Sequence, residues 1–291
     1  MAPGAAVTTA AATLAARVAA AGLDWIVPEW PAPPQVLGLT TTRACGPGAI
    51  ETLAPGDETR PPTPGDASGT PMPGDAAAAD AHGRHQLDAF LPSPPVWLAQ
   101  VHGTRVAVVD ATTIATARAV PPIADAAVTR ERGVVCAVRT ADCLPVVFAN
   151  RAGTAVGIAH AGWRGLAAGV LEATVAALAS LGAEPGELIA WFGPAIGPAA
   201  FEVGDDVRAA FAAADPASTR CFAPLGEGKW RADLYALAQR RLAAAGVHAV
   251  HGGGWCTVTE AARFYSYRRA RDTARMATLV WLAPDAAQAR L

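Results

Sequence analysis

The chain has 291 residues, 52% of them hydrophobic and 16% charged, which is enough for one large domain or two small ones with a substantial core. Its formal net charge of −2 gives no basic footprint for nucleic acid, and no apolar stretch is long enough to span a bilayer. Five cysteines, an odd number without paired spacing, favour a reducing compartment and predict a cytoplasmic protein.

Composition divides the first 91 residues into segments. Residues 1–24 are alanine-rich and include Arg17, and because they have no basic n-region they predict a helical extension rather than a secretion signal. The β-branched residues at 36–42 predict a strand. Proline, glycine, aspartate, threonine and alanine dominate residues 46–80, which therefore predict a flexible loop. A short helix is expected at 81–91.

From residue 96 onward the pattern of apolar residues is regular. Strands are predicted at 96–101, 105–110, 133–139, 145–149, 154–160, 188–192, 248–252, 264–267 and 276–282. Helices are predicted at 165–181, 204–214 and 232–245. Strands outnumber helices, and the turn residues at 150–153 predict a hairpin. This pattern favours a mixed α+β layer architecture over a doubly wound parallel sheet.

Three chemically reactive residues lie in short segments at the ends of predicted strands, and glycines punctuate the segments of the two histidines: His102, Cys143 and His160. Two imidazoles and one thiolate make a three-ligand site that suits zinc and leaves a fourth position open, as in catalytic zinc sites. Zinc there would keep the thiolate deprotonated and lower the pKa of a bound water to near neutrality. Because separations of 41 and 17 residues match no zinc finger, the prediction rests on the coincidence of three strand-edge loops.

The same residues also allow a mechanism without a metal. Cys143 would then be a nucleophile, with His102 or His160 as its base, in a hydrolase arrangement. Asp142, which precedes the cysteine, is a candidate to shuttle protons or to orient an imidazole. Its alternative role is that of a turn residue capping local backbone amides.

Two arginines are candidates for binding an anion such as phosphate. Arg164 lies between Gly162 and Gly165 at a predicted helix start, where exposed amides attract negative charge, although an ordinary strand-to-helix turn also fits. Arg43 ends the predicted strand at 36–42. The basic run at 268–271 fits either a solvated face or part of a site.

Five segments resemble the YfiH and laccase-domain family: Val96–Gly103, Thr140–Pro145, Ala159–Gly165, Gly193–Gly197 and Phe264–Arg269. The resemblance covers roughly residues 25–283. It implies a single catalytic domain of layered α-β-β architecture with mixed sheets, interrupted by the 46–80 insertion. A helical extension at 1–24 precedes this domain and a tail at 284–291 follows it. The family's zinc ligands correspond to His102, Cys143 and His160.

The resemblance also implies an activity. Family members are described as purine nucleoside enzymes that phosphorolyse adenosine, inosine and 5′-methylthioadenosine and deaminate adenosine, so the expected partners are a nucleoside and phosphate. The family has also been linked to copper-dependent polyphenol oxidation, to editing of a UDP-muramoyl amino acid precursor of peptidoglycan, and to cysteine hydrolases. A binding module that has lost catalysis is a further alternative.

Histidine count and local departures bear on these alternatives. Six histidines in the whole chain are too few for a multicopper array, although a nitrogen–thiolate site would accept Cu²⁺ in place of zinc. The family's Thr-Arg-x-Gly-Gly segment corresponds here to 42–46, which keeps Arg43 but has lost one glycine. The family's Gly-Arg-Met corresponds to Ala274–Met276. The family's Asn-bearing stretch has no clear counterpart in residues 47–80. If that segment normally holds the substrate, specificity or even activity here differs from that of the family.

Overall fold

The computed structural model describes residues 10–43, 86–271 and 274–285 of the chain. The helices are α1 Ala10–Ala20, α2 Ile114–Ala119, α3 Trp163–Ala168, α4 Val170–Ser180, α5 Asp205–Ala214, α6 Leu234–Ala244 and α7 Tyr267–Ala270. The strands are β1 Val36–Thr40, β2 Val106–Val108, β3 Ala126–Thr129, β4 Val135–Thr140, β5 Leu144–Asn150, β6 Val156–Ala161, β7 Leu188–Phe192, β8 Glu202–Gly204, β9 Phe222–Gly226, β10 Lys229–Ala232, β11 Ala249–Gly252 and β12 Met276–Leu282.

The main sheet has six strands in the order β11-β7-β5-β6-β3-β2. Its outer pairs, β11–β7 and β3–β2, are parallel, whereas the three inner pairs are antiparallel. A second, antiparallel sheet has the order β1-β12-β4, and a small third sheet has the order β8-β10-β9. The predicted α+β class with mixed sheets is therefore confirmed.

Layers cover both faces of the main sheet, and all seven residues of β5 are buried as a result. One face packs on α3 to α6 through residues such as Phe148 and Leu171. The other face packs on the second sheet, for example at Val280. An outer core on the far side of the second sheet joins Leu14 of α1 to Leu279 of β12. These layers bury enough apolar surface to hold the loops at the sheet ends in place.

Most predicted elements have a counterpart in the structure. The strands predicted at 36–42, 105–110, 133–139, 145–149, 154–160, 188–192, 248–252 and 276–282 correspond to β1, β2, β4, β5, β6, β7, β11 and β12. The helices predicted at 204–214 and 232–245 correspond to α5 and α6. The loop predicted at 46–80 and residues 81–85 of the helix predicted at 81–91 lie outside the described residues, while 86–88 are helical.

Three predicted elements differ from the structure for identifiable reasons. The helix predicted at 165–181 is two helices, because Gly169 between them adopts a left-handed φ of 105°. The strand predicted at 264–267 is wrong, because Ser266 instead caps α7 by accepting a hydrogen bond from the Arg269 N–H. The stretch at 96–101 forms isolated bridges at Val96 and Ala99 instead of a strand.

Within the described residues, no helix has the length and apolar character needed to cross a membrane.

Candidate metal centre

Three strand ends of the main sheet bring the predicted ligands together. Cys143 precedes β5, and His160 lies near the end of β6, opposite Pro145 in the antiparallel β5–β6 pair. His102 reaches the same edge from the loop before β2. The three ligand atoms lie within 4.8 Å of one another, with 3.8 Å between Cys143 Sγ and His102 Nε2. His160 is buried, Cys143 is half-buried and His102 is exposed, so the cluster opens to solvent on the His102 side.

A buried aspartate, Asp125, supports two of the three ligands. Its Oδ1 lies 2.9 Å from Nδ1 of His160, which leaves Nε2 of that ring to face the cluster. Its two oxygens also accept hydrogen bonds from the backbone N–H groups of Val101, His102 and Gly103, at 3.2, 2.9 and 2.7 Å. One carboxylate therefore fixes both the His160 ring and the loop that carries His102.

Asp125 was not among the functional residues predicted from the sequence. It lies directly before β3, whose neighbour in the sheet is β6, so the strand pairing brings the carboxylate to His160. Asp125 is fully buried between apolar neighbours. A lone acidic residue within the apolar stretch 123–128 was the available signal, because a buried carboxylate requires specific partners.

Charges at the cluster compensate one another. Burial alone would raise the pKa of Cys143, but the His160 charge and the hydrogen bonds from both histidines lower it to about 6. Burial alone would lower the pKa of His160, but the Cys143 thiolate and Asp125 raise it to about 9. Burial alone would also raise the pKa of Asp125. Its bond to His160 and the hydrogen bonds from the loop amides instead hold that pKa below the ordinary carboxyl value. In the absence of a metal, these opposite shifts favour the thiolate form of Cys143 and the protonated form of His160.

Two glycines let the His102 loop pack against the turn that follows β6. A Cβ atom at Gly162 would lie 2.7 Å from His102 Cδ2 and 2.9 Å from Cys143 Sγ. At Gly165, a Cβ atom would lie 2.9 Å from the Gly103 carbonyl oxygen. His102 itself has a left-handed φ of 60°, which is rare for a residue with a side chain. The glycine spacing seen in the sequence thus has a steric function at the cluster.

Asp142 holds the loop that carries Cys143. Its Oδ1 accepts a 2.5 Å hydrogen bond from the Thr257 hydroxyl, and its Oδ2 accepts one of 2.6 Å from the Arg268 N–H. Its carbonyl oxygen accepts a further bond from the Ile196 N–H. Asp142 has a φ of 88°, so these bonds stabilise a backbone conformation that is otherwise unfavourable. Its contacts are those of a positioning residue, and its predicted catalytic role stays a prediction.

The two arginines predicted to bind phosphate lie on different elements. Arg164 is exposed on α3, with its guanidinium 4.4 Å from the Trp163 ring centroid. Arg43 follows β1, with its guanidinium 5.4 Å from the Tyr265 ring centroid and a hydrogen bond to the Ala261 carbonyl oxygen. Arg164 follows Gly162, whose Cβ position would contact the cluster, by two residues in the sequence. Phosphate binding by both stays a prediction.

The basic run at 268–271 is largely structural. The guanidinium of Arg268 donates two hydrogen bonds to the carbonyl oxygen of Glu202. Arg269 donates to three carbonyl oxygens, those of Thr257, Val258 and Phe264. The bonds of Arg269 hold α7 against the segment that carries Thr257, whose hydroxyl also donates to Asp142.

The donor set suits a transition metal. Two imidazole nitrogens and a thiolate are the ligand types that zinc takes, and a Cys143 pKa of about 6 makes the thiolate available at neutral pH. Asp125 supplies the carboxylate partner typical of a metal-bound histidine. In the part of the chain that the structure describes, this is the one such group of three or more potential ligands, which fits a mononuclear site.

The chain is similar to known proteins along most of its length. The family described as multi-copper polyphenol oxidoreductase laccase matches residues 69–283. Purine nucleoside phosphorylase PA4543 of Pseudomonas aeruginosa is 47% identical over 259 residues, covering 89% of this chain and 98% of that protein. Purine nucleoside phosphorylase YfiH of Escherichia coli is 46% identical over 257 residues, covering 88% and 98%.

Solved structures show the same fold. Protein NMB0706 of Neisseria meningitidis superposes with a TM-score of 0.73 at 42% identity, covering 90% of this chain and 100% of that one. The YfiH protein of Bacillus licheniformis superposes with a TM-score of 0.70 at 25% identity, covering 85% and 93%. This chain therefore belongs to the multi-copper polyphenol oxidoreductase laccase family, the YfiH and laccase-domain family that its motifs resemble.

Proposed function

We propose that this protein is a cytoplasmic, metal-dependent purine nucleoside enzyme whose reaction centre is the His102–Cys143–His160 cluster. The observation that carries the proposal is the convergence of these three ligand atoms within 4.8 Å from segments far apart in sequence. Relatives named purine nucleoside phosphorylase, 46–47% identical over nearly their full length, supply the substrate class. The described cysteines are all unpaired, in keeping with a reducing compartment.

Zn²⁺ is the metal we assign to the three ligands, with Cu²⁺ as a competitor. When bound, zinc would act as a Lewis acid with one exchangeable position. The chain's own contribution is to keep the ligands in place: Asp125 orients His160 and holds the His102 loop, while Asp142 holds the Cys143 loop. Copper would compete for the same site, because affinity for divalent metals rises toward copper. Weak polyphenol oxidation by bound copper would then be adventitious.

In phosphorolysis, an oxygen of inorganic phosphate attacks the ribose carbon that bears the base. The N-glycosidic bond breaks, the purine leaves with a proton, and the sugar 1-phosphate forms: ribose 1-phosphate from adenosine or inosine, and 5-methylthioribose 1-phosphate from 5′-methylthioadenosine. Arg164 on α3 and Arg43 after β1 are the residues we assign to the phosphate. The proposed substrates are adenosine, inosine and 5′-methylthioadenosine.

In adenosine deamination, the nucleophile is water. It attacks the purine carbon that carries the amino group, ammonia leaves, and inosine forms. Proton transfer requires a titratable group near the cluster, and the sequence offers Asp142 as a candidate. Its observed bonds to Thr257 and Arg268 support a positioning contribution to the same reaction.

Metal analysis combined with a nucleoside panel tests the proposal. We expect the purified protein to contain about one zinc per chain and to convert adenosine and inosine in phosphate buffer. Cys143→Ala should lose the zinc and both activities together. Cys221→Ala, which removes another free, partly buried thiol, is the matched control and should keep the zinc and both activities. Full zinc occupancy in Cys143→Ala would eliminate Cys143 as a ligand.

The electrostatics of the cluster favour a second candidate, a cysteine hydrolase. A Cys143 pKa of about 6 and a His102 Nε2 atom 3.8 Å from its sulfur are also features of a nucleophile with its base. The proposed substrate is a UDP-muramoyl amino acid precursor. Hydrolysis of UDP-muramoyl-serine that survives complete chelation of metal would favour this candidate, whereas loss on chelation and recovery with zinc would favour the nucleoside enzyme.

A further inference from the structure

Gln100 lies two residues before His102, in a segment that crosses from the second sheet to the main sheet. The segment begins as a parallel neighbour of β4, to which Val96 bonds through both its N–H and its carbonyl oxygen. It then leaves β4, and Ala99 bridges instead to Ile123, which precedes β3. The last part of β4 therefore has no backbone partner from this segment.

The Gln100 side chain takes the place of that missing backbone. Its Oε1 accepts a 2.8 Å hydrogen bond from the Arg139 N–H, and its Nε2 donates one of 2.9 Å to the Arg139 carbonyl oxygen. A glutamine amide offers the same donor and acceptor as a peptide group, so it continues the pairing along β4. Arg139 returns a bond of 3.2 Å from its guanidinium to the Leu98 carbonyl oxygen. The segment and β4 are thus held together by bonds in both directions.

These bonds give the His102 loop a second support. From the main sheet, Asp125 accepts hydrogen bonds from three backbone N–H groups of the loop. From the second sheet, Gln100 ties the start of the loop to Arg139, which lies four residues before Cys143. His102 is exposed and has a left-handed φ of 60°, a conformation that persists only where its surroundings hold it. One side chain therefore joins the segments that carry two of the three ligands.

We infer that Gln100 is a positioning residue that sets the place of His102 relative to Cys143. The inference rests on the proposed metal centre, but not on the nucleoside reaction. A neutral amide is not among the ligand types that zinc takes, so Gln100 acts on the metal through the loop. This also gives a function to the glutamine of the motif segment Val96–Gly103.

Gln100→Met tests the inference, because methionine is of similar length and has neither an amide donor nor a strong acceptor. We expect zinc affinity, measured by chelator competition, to fall at least tenfold, as is usual when a group that orients a metal ligand is lost. Co²⁺ bound in place of zinc gives visible absorption bands that depend on the number and geometry of its ligands, and these bands should change in the variant. Gln100→Leu removes the same two bonds and serves if Gln100→Met does not fold.

Gln35→Met is the matched control. The Gln35 side chain is also half-buried and donates hydrogen bonds to two carbonyl oxygens, those of Ala152 and Gly153, at 3.0 and 3.2 Å. These lie in the β5–β6 turn, at the opposite end of β5 from Cys143. This variant should keep the zinc affinity and the cobalt spectrum of the wild type. Equal loss of zinc affinity in the two folded variants, or unchanged affinity and spectrum in Gln100→Met, would overturn the inference.

Hydrogen exchange of the metal-free protein separates this inference from the proposed function. The backbone amides of residues 101–103 should exchange at least tenfold faster in Gln100→Met than in the wild type, and at the wild-type rate in Gln35→Met. A wild type that binds no zinc or converts no nucleoside would contradict the proposed function, whereas the exchange rates still report on Gln100. Unchanged exchange in Gln100→Met would show that Asp125 alone holds the loop, and would overturn the inference.

Discussion

At the scale of single residues, the buried carboxylate of Asp125 connects two of the proposed metal ligands. Asp125→Asn keeps the size of the side chain but removes the charge that pairs with His160, and it turns an NH₂ group toward N–H donors at Val101 or Gly103. We expect metal affinity to fall about 10- to 100-fold, as is usual when the partner of a metal-bound histidine is lost. Competition with a chromophoric chelator measures the affinity.

A matched control for this substitution is Asp110→Asn. Asp110 also accepts hydrogen bonds from successive residues, at Thr112 and Thr113, but it lies in an exposed turn after β2. Its substitution should leave metal affinity unchanged. Equal affinity in Asp125→Asn and the wild type would show that Asp125 only supports the fold near the cluster.

Cys143 should be reactive at an unusually low pH in the metal-free protein. With a pKa of about 6 it is a neutral thiol below that pH and a thiolate above it. The rate of alkylation by iodoacetamide should therefore rise through pH 6 and level off by about pH 8, because only the thiolate reacts. Mass spectrometry of the Cys143 peptide separates it from Cys136, whose burial raises its pKa to about 12 and keeps it unreactive.

His160→Gln is the companion variant for this measurement. The His160 pKa of about 9 keeps the imidazolium charged across the range in which Cys143 titrates, and this charge stabilises the thiolate. Without it, the midpoint of the Cys143 profile should move up toward the ordinary thiol value of about 8.5. A midpoint that stays near pH 6 would mean that His102, rather than His160, stabilises the thiolate form of Cys143.

The site residues differed in how far the sequence could identify them. His102, Cys143 and His160 could be predicted because each has a reactive side chain at a predicted strand end, with glycines near the two histidines. Asp125 carries no such punctuation, and its function depends on a strand pairing between β3 and β6 that spacing does not reveal. The bonds of Asp142 to residues 257 and 268 link positions more than 100 residues apart, and only the folded chain shows them.

At the scale of elements, the turn between β6 and α3 is shaped to accept the His102 loop. Gly162 has an ordinary φ of −64°, so alanine fits its backbone, but the added methyl group would lie 2.7 Å from His102 Cδ2 and 2.9 Å from Cys143 Sγ. Gly162→Ala should therefore displace a ligand and reduce zinc affinity and nucleoside turnover at least tenfold. Zinc content and steady-state rates are the measurements.

Gly186→Ala is the control for that substitution. Gly186 lies in the short 3₁₀ turn Pro185–Glu187, and a Cβ atom there meets nothing within 4 Å. The free energy of unfolding of the Gly186→Ala protein should change by no more than about 1 kcal/mol, and its zinc affinity should be unchanged. If Gly162→Ala behaves like Gly186→Ala, the glycine spacing at the cluster has no steric function.

Elements with strong apolar patterns were predictable, and exposed or interrupted ones were not. β7 and β12 match their predicted bounds because continuous burial gives each an unbroken apolar run. β9 has four of its five residues exposed and contains Pro224 and Gly226, which are unfavourable in strands, so it was missed. The break between α3 and α4 depends on one left-handed glycine inside an otherwise continuous helical pattern.

At the scale of the whole molecule, the order of strands assembles the metal centre, whereas α1 packs against the second sheet. The β5–β6 hairpin places Cys143 near His160, whereas His102 joins through Asp125 and a parallel β2–β3 pair. The sequence predicted the layers because they follow from apolar patterns. It could not predict this strand order, because parallel pairing leaves no local mark in the sequence.

The outer core gives a prediction about how far stability and metal binding are separate. Leu14 of α1 is 3% exposed and packs on the second sheet, on the far side of that sheet from the main sheet. Leu14→Ala should reduce the free energy of unfolding by roughly 2–5 kcal/mol, since it leaves a cavity between α1 and β1. Zinc affinity of the folded protein should stay within about twofold, because sites without shared partners contribute independently.

Urea denaturation and chelator competition measure the two quantities on the same samples. Leu225→Ala removes the same atoms from a side chain that is 41% exposed, so it should cost far less stability and likewise leave zinc affinity unchanged. A Leu14→Ala protein as stable as the wild type would mean that α1 does not contribute to the folded core. A Leu14→Ala protein that is destabilised and also loses zinc affinity while fully folded would contradict this independence. It would mean that the outer core and the metal centre are coupled through the two sheets, because α1 makes no direct contact with the metal ligands or with the loops that hold them.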